Sequence, residues 1–207
     1  MNNKDDIRLD LNVLYFHLAP ESSCPYYLTL ANYELENITP IMKDGHIIIY
    51  EEVEQTKQAF YLCDNKELFG SLPLQFEEDE PYDFPHLAKV ILRKRIDNAH
   101  DVFKCAHILD DMIAILGISP PEEYEDIMSD IFLDFLETND FGTFIKSKEY
   151  NRKDVLEAFR WHMRAVGERC LLLPMEGQLH KPKCNVENVL DYTKWGKKGR
   201  SMCQISS

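Results

Sequence analysis

The apolar residues of this chain change their spacing once. Up to about residue 75 they alternate with polar ones or form short continuous runs, and after Pro85 they recur at every third or fourth position. Alternation marks half-buried strands, and a period near 3.6 marks amphipathic helices. Strands followed by helices predict an α+β fold. Its N-terminal part is expected to be an antiparallel β-meander of about four or five strands, with three main helices packed on one face. A single domain is expected over residues 1–173, followed by a poorly patterned basic segment over 174–207.

The strand signals are specific. Leu9, Leu11, Val13 and Tyr15 alternate with polar residues, and Tyr26, Leu28 and Leu30 repeat the pattern. Asp44-Gly45 is a tight-turn pair just ahead of the β-branched run Ile47 to Ile49. A further turn over Glu54 to Lys57 predicts another strand at Gln58 to Cys63, closed by Asp64-Asn65. Residues 72–85, LPLQFEEDEPYDFP, read as a proline-punctuated acidic loop.

Three helices are predicted beyond it. The first runs from about His86 to Leu116 and stops at Gly117, with Pro120-Pro121 next. The second starts near Pro121, where Glu122 and Glu123 suit the positive end of a helix dipole. The third runs from about Arg152 to Cys170, with Val155, Phe159, Met163 and Val166 on one stripe.

Charge restricts the partners. Residues 1–150 carry 30 acidic and 12 basic side chains, a net −18, and residues 151–207 carry 6 and 11, a net +5, which together give −13. A body this acidic repels nucleic acid and anionic membrane and attracts basic surfaces. No apolar run approaches the roughly 20 residues of a membrane span. The opening MNNKDDIRLDL lacks the cationic and apolar regions of a secretory signal, so a cytoplasmic location is expected. The six cysteines are then expected as reduced thiols, with Cys63, Cys105 and Cys170 in the core.

One stretch, NAHDVFKCAHILDD over residues 98–111, gathers groups capable of chemistry. On a helical wheel with Ala99 at zero, the apolar seam is expected through Leu92, Ile96, Ala99, Phe103, Ala106 and Ile113. His107, His100 and Asp111 fall on one flank, at roughly 80°, 100° and 120°. That flank could hold zinc or another divalent metal if a further helix supplied a ligand. Asp110 falls near 20° on the same wheel, inside the expected seam, where a carboxylate needs a partner such as Arg160, Arg164 or Arg169.

The remaining signals are weaker. His180 and Cys184 have the spacing of half a zinc site, without a second pair to complete it. Trp195 among Lys194, Lys197, Lys198 and Arg200 is the one place where nucleic acid could be contacted. There is no phosphate-binding glycine loop, no nucleophile elbow and no zinc-protease motif. The expected function is therefore a non-enzymatic acidic binding or inhibitor protein, for example a toxin-neutralising immunity protein, that masks a basic partner without a cofactor. Phe76 and Tyr82 would anchor that partner, with Glu77, Glu78, Asp79, Glu80 and Asp83 steering it electrostatically. The alternatives are a metal-dependent hydrolase built on His100, His107 and Asp111, and a nucleic-acid adaptor using the basic tail.

Overall fold

The computed structural model describes residues 9–16, 26–32, 38–64, 74–78, 87, 91, 99–138 and 150–182. The chain divides into two compact units. One holds all the described strands and a short helix, and the other holds three long helices.

The strand unit is built on β1 (Leu9–Phe16) and β2 (Tyr26–Asn32), which pair antiparallel from Asp10–Asn32 to Phe16–Tyr26. A hairpin follows, with β3 (Ile38–Pro40) and β4 (Met42–Lys43) in its first arm and β5 (His46–Tyr50) in its second. The expected turn lies at Asp44 and Gly45, whose φ values of 50° and 72° are both left-handed, as a two-residue hairpin turn requires. Asp64 supports this turn by accepting the Asp44 N–H at 2.8 Å and pairing with Lys43. Ile41 transfers the first arm between neighbours. Its N–H donates to Thr29 at 3.1 Å and its carbonyl accepts from Ile48 at 3.0 Å, so β3 pairs with β2 and β4 with β5.

The sheet is mixed rather than a pure antiparallel meander. β6 (Leu74–Glu78) runs parallel to β1, and β7 (Cys170–Leu173) runs parallel to β5. Parallel neighbours come from distant sequence, and local alternation carries no information about strand direction. Three sequence expectations change accordingly. Residues 74–78 are a strand instead of part of a loop, Cys170 opens a strand instead of ending a helix, and the sheet gains parallel edges. β5 has strand neighbours on both sides, which explains why Ile47, Ile48, Ile49 and Tyr50 are all buried. On β7, Leu172 exchanges both backbone hydrogen bonds with His180, at 2.7 and 3.1 Å.

Residues predicted as a strand at Gln58 to Cys63 instead form α1 (Thr56–Leu62), after a 3-10 turn at Val53–Gln55. A strand would have placed Ala59, Tyr61 and Cys63 on one face. Ala59 and Cys63 are buried while Tyr61 is 69% exposed, so the period is helical. Ala59 and Cys63 join Ile41, Ile48, Tyr50 and Leu173 in one apolar cluster. The buried Tyr50 hydroxyl is satisfied by the hydroxyls of Thr29 at 2.6 Å and Thr56 at 3.0 Å.

The helical unit contains α2 (Ala99–Ile115), α3 (Glu122–Thr138) and α4 (Arg152–Glu168). Upstream of α2, Leu87 and Ile91 are helical and buried, within the segment predicted as helix. α2 ends as the sequence indicates. Gly117 has φ 62°, its N–H donates to Ala114 at 3.1 Å, and the Ile118 N–H donates to Ile113 at 3.1 Å, which is a Schellman cap. Pro121 opens α3, its carbonyl accepting the Tyr124 and Glu125 N–H groups at 2.9 and 3.0 Å. Asn151 caps α4, Oδ1 accepting from the Lys153 and Asp154 N–H groups at 2.9 and 3.1 Å. The predicted stripe of Val155, Phe159, Met163 and Val166 is buried.

The buried face of α2 departs from the expected seam. Val102, Cys105, Ala106, Ile108, Leu109, Met112 and Ile113 are buried. Their mean direction lies roughly 90° away from the predicted one on the wheel. Asp110 is therefore exposed and needs no buried cation, which removes the expected pin to α4. The prediction centred the seam on Ala99 and Phe103. The heavier side chains of Leu109 and Met112 set the buried face instead.

Candidate functional site

Of the predicted site residues, the structure brings His107 and Asp111 together. His107 Nδ1 lies 3.3 Å from Asp111 Oδ2, one turn apart on α2, and both side chains are more than a third exposed. Burial raises the Asp111 carboxyl above its usual range. His107 opposes that rise and Asp110 adds to it. His100 lies earlier on the same helix, at a position whose side chain is outside the described residues. Among the described residues no group of three or more His, Cys, Asp or Glu side chains is placed to hold a metal. His180 and Cys184 are not joined in a described site either. The His180 Nδ1 lies 3.2 Å from the Gln178 carbonyl, and Cys184 is outside the described residues. The predicted core thiols Cys63, Cys105 and Cys170 are buried and form no disulfide among the described residues.

Of the predicted binding residues, Phe76, Glu77 and Glu78 belong to β6, at the end of the sheet order opposite β4. They pair in register with Leu11, Asn12 and Val13 of β1. The two-residue repeat of a strand assigns positions 76 and 77 to opposite faces of the sheet. Asp79, Glu80, Tyr82 and Asp83 lie outside the described residues, as does the Lys194–Arg200 tail.

The surface that sequence reasoning missed is on α2 and α3. Across its 17 residues α3 carries Glu122, Glu123, Glu125, Asp126, Asp130, Asp134 and Glu137 and no basic residue. The first four are exposed. Farther along the same helix Phe132 is 39% and Leu133 53% exposed. Glu125, Ser129 and Phe132 follow one another at spacings of four and three, and Asp126, Ser129 and Leu133 at three and four, so acids and apolar tips share one side of the helix. Phe132 and Leu133 adjoin the buried Ile131, so their apolar character alone gives no sign of their exposure.

Three rings close the junction between α2 and α3. Phe103 stacks on Phe132 with centroids 5.6 Å apart and planes 26° apart. His107 meets the Phe132 ring edge-on at 5.9 Å and lies 5.8 Å from Phe103. This stack fixes a partly exposed aromatic face, and its His107 also pairs with the Asp111 carboxylate.

Elsewhere in this unit, polar groups have structural roles. The Tyr150 hydroxyl donates to Asp130 at 3.0 Å, and its pKa is pushed up to about 12 by burial and by that carboxylate. Arg152 donates to the Ile91 carbonyl. No helix among the described residues is long and apolar enough to cross a membrane. No family model, curated protein or solved structure matches the chain. Architecture and surface therefore define the class so far: an α+β protein whose helical unit exposes an acidic face with apolar tips.

Proposed function

We propose that this chain is a binding protein that masks a basic partner protein, in the manner of a toxin-neutralising immunity protein. The observation that carries this reading is the exposed side of α3, where Glu122, Glu123, Glu125 and Asp126 lead to Phe132 and Leu133. Carboxylates at spacings of four, such as Glu122, Asp126 and Asp130, repel one another and cost a helix about 0.2–0.5 kcal/mol per pair. Only the first turn recovers part of that cost, from the helix dipole. A basic surface laid on α3 relieves the repulsion, and apolar tips beside the acids supply the desolvated anchors that affinity requires. The net charge of −13 extends the same field beyond the helix and speeds encounter with a cationic protein.

The test uses a partner captured from the native cell extract and then purified. Association is measured for the wild-type protein, for a variant with Glu122, Glu123, Glu125 and Asp126 changed to their amides, and for one with Glu77, Glu78, Asp79 and Glu80 so changed. The expected result is a slowing of roughly tenfold or more and a flatter salt dependence in the α3 variant. A captured partner that is not basic, or rates unaffected in both variants, would overturn the reading.

A further inference from the structure

We infer that the corner formed by Phe132, His107 and Asp111 is a receptor for an arginine side chain of the partner, rather than for a lysine. This rests on the binding function proposed above and adds the chemistry that would be recognised. His107 links an aromatic face and a carboxylate within a surrounding negative field. Phe103 supports the Phe132 ring from one side at 5.6 Å, and His107 stands edge-on to it at 5.9 Å. Phe132 keeps 39% of its surface exposed, so part of the ring is open to a planar cation. His107 also approaches Asp111 Oδ2 at 3.3 Å, which leaves Oδ1 without a hydrogen-bond partner among the described residues.

A guanidinium fits this combination. It is planar and weakly hydrated, it stacks on an aromatic ring, and its fork of N–H donors extends in plane to a carboxylate. An ammonium is compact and strongly hydrated, and it gains less from the ring. Glu125, two turns before Phe132 on the same stripe, and the exposed Asp110 keep the approach negative. The same field disfavours nucleic acid phosphates as the occupant.

The probes are hexa-arginine and hexa-lysine peptides, titrated calorimetrically into the full-length protein at moderate salt. Hexa-arginine is expected to bind about three- to fivefold more tightly than hexa-lysine. Phe132→Ala is expected to abolish that preference by weakening hexa-arginine binding more than hexa-lysine binding, and Asp111→Asn to reduce it. Circular dichroism checks the fold of each variant, and Phe132→Leu, which keeps the apolar bulk but not the ring, replaces Phe132→Ala if that variant unfolds. Equal, salt-sensitive binding of both peptides would overturn the arginine corner and leave the acidic-surface reading standing, as would a preference that survives loss of the ring. Binding of neither peptide would remove both.

Discussion

Gln55 Nε2 donates to the carbonyl of Leu173 at 3.0 Å, joining residues 118 positions apart. The same amide donates to the Pro174 carbonyl at 3.0 Å, and its Oε1 accepts the N–H groups of Glu51 and Glu52 at 3.1 and 2.9 Å. One side chain thus closes the turn after β5 and fastens the end of β7 beside it. Gln55→Leu has nearly the right volume and none of these bonds. The expected loss is about 2–4 kcal/mol, since a buried site would lose the partners of several backbone groups. Urea unfolding followed by circular dichroism measures it, and a change below about 0.5 kcal/mol, the size of an ordinary surface substitution, would contradict this role.

His162 makes stability depend on pH. Its ring is fully buried on α4, with Nδ1 donating to the Ala158 carbonyl at 2.8 Å and Nε2 without a hydrogen-bond partner among the described residues. Burial lowers its pKa below the ordinary 6.5, against the opposing pulls of the Ala158 bond, Asp110 on α2 and Glu125 on α3. With the folded pKa depressed, the unfolded chain binds more protons at mildly acidic pH. Stability from this group is complete above about 6.5 and declines as the pH falls through the folded pKa. His162→Leu is expected to flatten the urea midpoint between about pH 7.5 and pH 5 relative to the parent. Parallel profiles for the two proteins would show that another group sets the slope.

Asn151 caps α4 through Oδ1, and Asn151→Ala leaves the Lys153 and Asp154 N–H groups to water. The expected cost is about 1 kcal/mol. Thermal unfolding checks it, with Asn151→Asp as the conservative control that keeps a capping oxygen.

Gly117 holds a left-handed conformation at φ 62°, and a Cβ added there would meet nothing within 4 Å. Gly117→Ala therefore isolates backbone strain from crowding. A loss of about 1 kcal/mol is expected, and an unchanged unfolding midpoint would show that the turn relaxes.

The features legible in the sequence are those set by local chemistry. Asp44-Gly45 announced its turn because only small or left-handed-tolerant residues suit it, and Gly117 announced the end of α2 for the same reason. The stripe of α4 was legible because Val155, Phe159, Met163 and Val166 repeat over about three turns. The parallel strands β6 and β7 were not, because their direction depends on partners far along the chain. α1 was misread because seven residues are too few to separate a period of two from one of 3.6: Ala59 and Cys63 share a face in either, and only the exposure of Tyr61 distinguishes them. At the site, the pairing of His107 with Asp111 followed from their spacing. The exposure of Phe132 and Leu133 did not, since a wheel shows which residues share a direction but not which direction is covered.

The claim that the acidic side of α3 is the binding surface is tested most directly by chemical-shift mapping. Hexa-arginine is titrated into the isotopically labelled protein at about 0.05 M and again at about 0.2 M salt, where the shorter Debye length weakens exposed charge pairs. The expected result is a contiguous set of perturbed amides on α2 and α3, centred on His107, Asp111, Glu125 and Phe132 and weakened at the higher salt. Perturbations concentrated on the strand unit, or scattered with no preference for α3, would contradict it.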